Sequence, residues 1–167
     1  MHKNLPNLYI FLDRYDDYIF NNNNINVGII YRNYNSANRE IELTKIAKAC
    51  KKRRYQLFVS NDIKLSLKMG ANGIYIPSFN KIKKFCNFEK RNLIVLGSAH
   101  NYKEIQNKIS QKCKAIFISP VFHVNKSRKF LGVSKFNFLA HSSSVKCLAL
   151  GGINEKNTRK LNLLHIY

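Results

Sequence analysis

The sequence predicts an α/β fold of the (β/α)8 TIM-barrel type, a single domain over residues 1–167 that runs out after about seven βα units. Three observations predict it. Short apolar runs alternate with amphipathic stretches along the whole chain. The apolar runs are continuous rather than alternating, the pattern of strands covered on both faces and therefore of a parallel sheet. Their number, about seven, exceeds the roughly five of a flavodoxin-like sheet and approaches a complete barrel, which takes about 250 residues.

Leu8–Leu12 and Val27–Tyr31 read as the first two buried strands, and the tract Asn21–Asn24 between them suits a loop better than a helix. Arg39 to Arg54 carries Ile41, Leu43, Ile46, Ala47 and Cys50 at mostly helical spacing. Its last residues, Lys51-Lys52-Arg53-Arg54, put cations where the carbonyl end of the helix dipole is negative. Leu57–Val59 is the next strand and Ile63–Met69 the next helix, closed by Gly70 where a left-handed residue is wanted. Gly73–Ile76 is a strand stopped by Pro77, Ile82–Phe85 a short helix, and Leu93–Leu96 a strong strand. Asn101 and Glu104 form a capping box for a helix to about Lys112, with Asn in place of the usual Ser or Thr. Ala115–Ile118 is a strand, His123–Lys129 a basic loop and Ser134–Ala140 a helix. Cys147–Leu150 is the last strand, and Asn154 caps a last helix through about Leu161. The chain stops at Tyr167, where an eighth strand is due; an open edge there predicts a covering segment or a homodimer.

No apolar run approaches the ~18 residues of a membrane span, and the start lacks a signal-peptide core, so the expected compartment is the cytoplasm. Cys50, Cys86, Cys113 and Cys147 lie far apart with no C-x-x-C pair, which points to reduced, mostly buried thiols rather than zinc ligands or a disulfide frame. The formal net charge of +20 has two readings. One is nucleic-acid binding by counterion release; the other is a lysine- and asparagine-rich composition spread over solvated helix faces. The basic residues are scattered and no nucleic-acid module is present, so a nucleic-acid partner is not expected. A basic background still draws in phosphorylated ligands.

In this architecture function gathers at the C-terminal ends of the strands. Those ends read Arg32-Asn33-Tyr34, Ser60-Asn61-Asp62, Pro77-Ser78, Ser98-Ala99-His100, Ser119-Pro120-Val121-Phe122 and Gly151-Gly152-Ile153-Asn154. Gly151-Gly152 stands between a strand and a helix, either as a phosphate cradle or as a tight turn. Asp62 is placed both to cap the helix that follows it and to bind Mg²⁺, where one carboxylate makes an incomplete site. His100 is a general acid or base, or a histidine bonded to backbone; Arg32 pairs with phosphate or with a neighbouring carboxylate. His123, Lys126, Arg128 and Lys129 either close on a phosphate or form a solvated loop.

Taken together, these stretches resemble the thiamine phosphate synthase family, including its thiazole tautomerase (TenI-type) branch. The stretches are Ile29-Ile30-Tyr31-Arg32, Leu57 to Asp62, Leu67 to Ile76, Gly97 to His100, Ile118 to Phe122 and Leu150 to Asn154. The resemblance implies thiamine biosynthesis: an enzyme, a transferase, joining hydroxymethylpyrimidine pyrophosphate to thiazole phosphate with release of pyrophosphate. It implies that Arg32 and Ser98 face the pyrophosphate, Asn61 the pyrimidine or pyrophosphate, and the Gly151-Gly152 amides the thiazole phosphate. Asp62 is implied as the Mg²⁺ ligand, and His100 as the proton shuttle of the tautomerase branch. The chain departs from the family pattern at Ile30 and Tyr34, at Phe79-Asn80, and at Val124 to Ser127, where Lys126 or Arg128 is left as a shifted substitute. These losses leave two alternatives to the synthase: a TenI-like tautomerase using His100, or a non-catalytic protein that binds a phosphorylated ligand.

Overall fold

A computed structural model describes the chain over residues 4–21, 26–34, 36–83, 93–125 and 129–164. The chain divides into two compact units, Met1–Tyr75 and Ile76–Tyr167. Both are βα repeats, with seven strands among the described residues, and every pairing described within a unit is parallel, as the (β/α)8 class requires.

The first unit runs β1 (Leu8–Leu12), α1 (Asp17–Asn21), β2 (Val27–Tyr31), α2 (Arg39–Arg53), β3 (Gln56–Ser60), α3 (Ile63–Lys68) and β4 (Gly73–Ile76). Its strands lie side by side in chain order, with Ile10 opposite Ile29, Ile29 opposite Leu57, and Val59 opposite Ile74. Alternate residues of β2 face opposite sides, and all five are buried, which is why the run reads as continuously apolar. Val27, Ile29 and Tyr31 pack with Leu43, Ile46 and Cys50 of α2 in one cluster. On the opposite face Tyr9 meets Phe58, with ring centroids 5.9 Å apart. A Cβ on Gly28 would lie 2.6 Å from the Tyr9 ring, so β2 needs a glycine there.

Three expectations change here. The first connection contains a helix, α1, whose last residue is Asn21; Asn22–Asn24, the rest of the tract expected as loop, lie outside the described residues. Asp16 Oδ1 accepts the Tyr18 N–H at 2.9 Å, and Phe20 is buried with its ring stacked on Tyr15 at 5.2 Å. A local side-chain cap and one buried ring start a helix that polar composition hides. Ile41 is not on the buried stripe of α2; it is 60% exposed. Two residues from Leu43 it points almost the opposite way around a helix of 3.6 residues per turn. Asn154, finally, caps no regular helix: its Oδ1 accepts from Lys156 N at 3.0 Å in a turn, and a 3₁₀ helix follows over Thr158–Leu163.

The second unit carries β5 (Ile94–Ala99), α4 (Tyr102–Ser110), β6 (Ala115–Ile118), α5 (Gly132–His141) and β7 (Lys146–Ala149), with β5 beside β6 and β6 beside β7. The expected cap of α4 is present in altered form. Asn101 Oδ1 accepts from Glu104 N at 3.0 Å, while Glu104 Oε2 accepts the His100 N–H at 2.8 Å, one residue earlier than the usual reciprocal bond. The helix proposed for Ile82–Phe85 falls largely outside the described residues. Cys50, Cys113 and Cys147 are buried and form no disulfide among the described residues, and Cys86 lies outside them. Among the described residues no helix is long and apolar enough to cross a membrane.

Two glycines give contrasting tests of this packing. A Cβ at Gly97 would lie 2.8 Å from both Cys113 Sγ and Lys108 Cδ, whereas at Gly70, φ +59°, nothing lies within 4 Å. In urea denaturation Gly97→Ala should cost about 1–3 kcal/mol through overpacking. Gly70→Ala should cost only the left-handed backbone penalty of about 1 kcal/mol.

Candidate functional site

In the first unit the strand ends gather four charged side chains, in two pairs, and one strained backbone. Arg32 follows β2, and its N–H donates to Leu12 O at 2.8 Å. Its guanidinium pairs with Asp13, Nε to Oδ1 at 3.4 Å and Nη2 to Oδ2 at 3.5 Å, with the two side chains 42% and 61% exposed. Of the two sequence readings, the carboxylate pairing is the one present. A long, exposed pair of this kind contributes little and yields readily to a stronger anion. Asn61 follows β3 with φ +57° and donates its N–H to Tyr75 O at 2.9 Å. A non-glycine residue held in the left-handed region costs energy and is found preferentially at functional sites.

Asp62 performs the capping role: Oδ1 accepts Leu65 N at 2.9 Å. Oδ2 accepts from Arg39 Nη1 at 3.0 Å, and Arg39 Nη2 donates to Ser60 O at 2.7 Å. Sequence reasoning missed Arg39. The available signal was its place as the first residue of α2, a helix that begins a few residues past the end of β2 and turns that residue back toward β3. The arrangement does not fit the Mg²⁺ that the family resemblance implies. Mg²⁺ wants near-octahedral oxygen ligands, but both Asp62 oxygens are engaged, one of them by a cation. No group of three His, Cys, Asp or Glu residues is placed to hold a metal among the described residues.

In the second unit Ser98 is buried at the end of β5. His100, just beyond, places Nδ1 2.6 Å from Ser119 O and Nε2 3.2 Å from Ser78 Oγ. The segment carrying Ser78 is gripped from α4. Lys108 Nζ, fully buried, donates to Pro77 O at 2.8 Å, Asn80 O at 2.7 Å and Gln111 Oε1 at 2.9 Å. Gln111 Nε2 donates to Asn80 O at 3.0 Å and Ile82 O at 2.9 Å.

Gly151 and Gly152 follow β7 with φ +92° and +71°. A Cβ on Gly151 would lie 2.9 Å from Pro120 Cβ, and one on Gly152 would lie 2.6 Å from the Phe122 carbonyl. Phe122 N donates to Gly151 O at 3.1 Å, which pins the Pro120–Phe122 loop against the turn. The N–H groups of Gly151, Gly152 and Ile153 have no acceptor among the described residues. Successive backbone N–H groups in such a turn make an anion-binding concavity. Lys126, expected beside it, lies outside the described residues.

The model of the family TMP-TENI, thiamine monophosphate synthase, matches residues 24–166. The chain belongs to this family. Among curated relatives, the thiamine-phosphate synthase of Prochlorococcus marinus subsp. pastoris is 29% identical over 126 residues, covering 72% of this chain and 35% of that protein. The thiamine-phosphate synthase of Lysinibacillus sphaericus is 25% identical over 112 residues, 65% of this chain and 53% of that protein. The chain thus spans about a third of the length of the Prochlorococcus marinus relatives. Among solved structures, thiamine phosphate pyrophosphorylase from Pyrococcus furiosus gives a TM-score of 0.74 at 19% identity, over 95% of this chain and 81% of that one. A 4-hydroxy-2-oxoglutarate aldolase/2-deydro-3-deoxyphosphogluconate aldolase gives 0.66 at 15%, over 95% and 79%. These likenesses establish the (β/α)8-type fold of this TMP-TENI family member.

Two side chains can be tested by stability. Asp62→Ala removes a cap and strands Arg39, and should cost about 1–2 kcal/mol in urea denaturation. Asp62→Asn keeps the cap and should cost less. Burial lowers the Lys108 ammonium from its ordinary 10.5 to about 8. Between those values the unfolded chain binds the extra proton, so this group's contribution to stability rises with pH there and is flat below. Lys108→Met should be destabilised by about 3 kcal/mol at pH 7 because Pro77 O and Gln111 Oε1 lose this donor, while Asn80 O keeps Gln111. The gap between wild type and variant should widen from pH 8 to pH 10.5; a gap independent of pH contradicts the shift.

Proposed function

We propose that this protein acts in thiamine biosynthesis on small phosphorylated substrates, as a thiamine phosphate synthase. In that reaction hydroxymethylpyrimidine pyrophosphate loses pyrophosphate from its methylene carbon and the thiazole phosphate nitrogen takes its place. The observation that carries the reading is the Gly151-Gly152 turn, where a Cβ has no room and three successive N–H groups have no acceptor among the described residues. It is the thiazole phosphate cradle in this proposal. Departure of pyrophosphate builds negative charge, and fixed cations and donors lower its cost. The family resemblance assigns such roles in the first unit to Arg32, whose present partner is weakly held, and to Asn61, and in the second unit to Ser98. Family members use Mg²⁺ here; the Asp62 carboxylate, committed to Leu65 and Arg39, is not arranged to supply that ion.

A second reading is favoured by one observation. His100 is held by a backbone carbonyl at Nδ1, which fixes its ring for proton transfer through Nε2. That geometry supports a tautomerase acting on a thiazole carboxylate phosphate, which needs a proton shuttle and no leaving group.

Pyrophosphate release in the presence of both substrates, followed with and without Mg²⁺, tests the first reading; no release under either condition overturns it. Titration calorimetry tests the cradle. Gly152→Ala, with its fold verified by circular dichroism, should weaken thiazole phosphate binding by at least about tenfold, the loss of one or two charge-assisted hydrogen bonds. Unchanged affinity would remove the cradle from the proposal.

A further inference from the structure

The second unit holds a polar trio that the synthase reading leaves unused. Ser119 O lies 2.6 Å from His100 Nδ1, and Ser78 Oγ lies 3.2 Å from His100 Nε2. A carbonyl oxygen has no proton to give, so the proton of the neutral ring belongs on Nδ1 and the lone pair on Nε2. Ser78 is then the donor of its own bond to the ring. The order hydroxyl, imidazole, orienting acceptor is that of an activated hydroxyl.

The spacing is set from outside the trio. Helix α4 fixes the His100 side, because Glu104 Oε2 accepts the His100 N–H at 2.8 Å. The same helix fixes the Ser78 side, because Lys108 holds the carbonyls of Pro77 and Asn80 on either side of it. One rigid element therefore sets the separation of donor and acceptor, the support a proton-transfer pair needs.

We propose that Ser78 carries the proton in this site, relaying it between a bound ligand and His100. The inference rests on the proton-transfer reading of His100 and adds to it the group that meets the ligand. The ligand class is a phosphorylated heterocycle in a non-aromatic tautomer, bearing an acidic C–H whose loss lets the ring become aromatic. Ser78 Oγ takes that proton as its own passes to Nε2. The C–H electron pair stays on the ligand, and the ring becomes an imidazolium whose Nδ1–H bond to Ser119 O strengthens. Reversal onto a second ligand atom returns the proton and leaves Ser78 and His100 unchanged, so the sum is a tautomer shift.

The test combines imidazole ¹⁵N NMR of the full chain with deuterium exchange into thiazole carboxylate phosphate in D₂O. Wild type should show the Nδ1–H tautomer. Ser78→Ala should keep that tautomer, move the Nε2 resonance toward an unbonded imine, and slow exchange by at least about tenfold. Ser78→Thr, which keeps the hydroxyl, should restore most of the rate, and His100→Asn should abolish it. An Nε2–H tautomer, or Ser78→Thr as slow as Ser78→Ala, overturns the relay. Exchange that survives Ser78→Ala but not His100→Asn overturns the relay alone and leaves the proton-transfer reading standing. No exchange in wild type overturns both.

Discussion

A buried ammonium organises the second unit. Lys108 reaches from α4 to three acceptors, two of them main-chain carbonyls of the segment after β4. Burying that charge is costly, and only complete hydrogen bonding offsets it. The return is positional: a stretch with little regular structure is held at both Pro77 and Asn80, and Ser78 is set between those points. Gln111 repeats the grip through Asn80 and Ile82. His100 and Ser119 complete the trio from the ends of β5 and β6, so α4 and two strand ends fix its geometry.

The first unit solves a different electrostatic problem. Three of its acids pair with cations of other elements: Asp13 with Arg32, Glu40 with Lys68, and Asp62 with Arg39 besides capping a helix. The pairs differ in strength. Arg39 is 17% exposed, makes two short bonds and lies over the Tyr31 ring at 5.9 Å, while Arg32 is exposed and loosely paired. A partly buried, doubly bonded guanidinium is a structural fixture, and an exposed one is available to a ligand. The same residue type at neighbouring strand ends thus does two jobs, separated by burial.

Much of the fold was legible because its cause is local. Continuous apolar runs announced parallel strands, and Gly70, Asn101 and Asp62 announced helix ends through backbone conformation and side-chain capping. The failures have equally specific causes. Helix α1 depends on Phe20 finding Tyr15, and the placement of Ile41 depends on which stripe of α2 the strands select. Among the candidate residues, the Gly151-Gly152 turn was readable as a turn because glycine takes positive φ without steric cost. Arg39 and Lys108 were not, since a basic residue on a helix ordinarily reads as a solvated face.

The sequence by itself determined the class of fold, the family and the strand ends where polar residues collect. Each follows from periodicity, glycine placement and motif order, which are properties of short stretches. Only the tertiary structure decided which acid pairs with which base, that Asp62 faces a guanidinium, and that His100 meets Ser78 and Ser119. Those contacts join residues about 20 positions apart. Their partners are chosen by how strands and helices pack, and no local pattern records that choice.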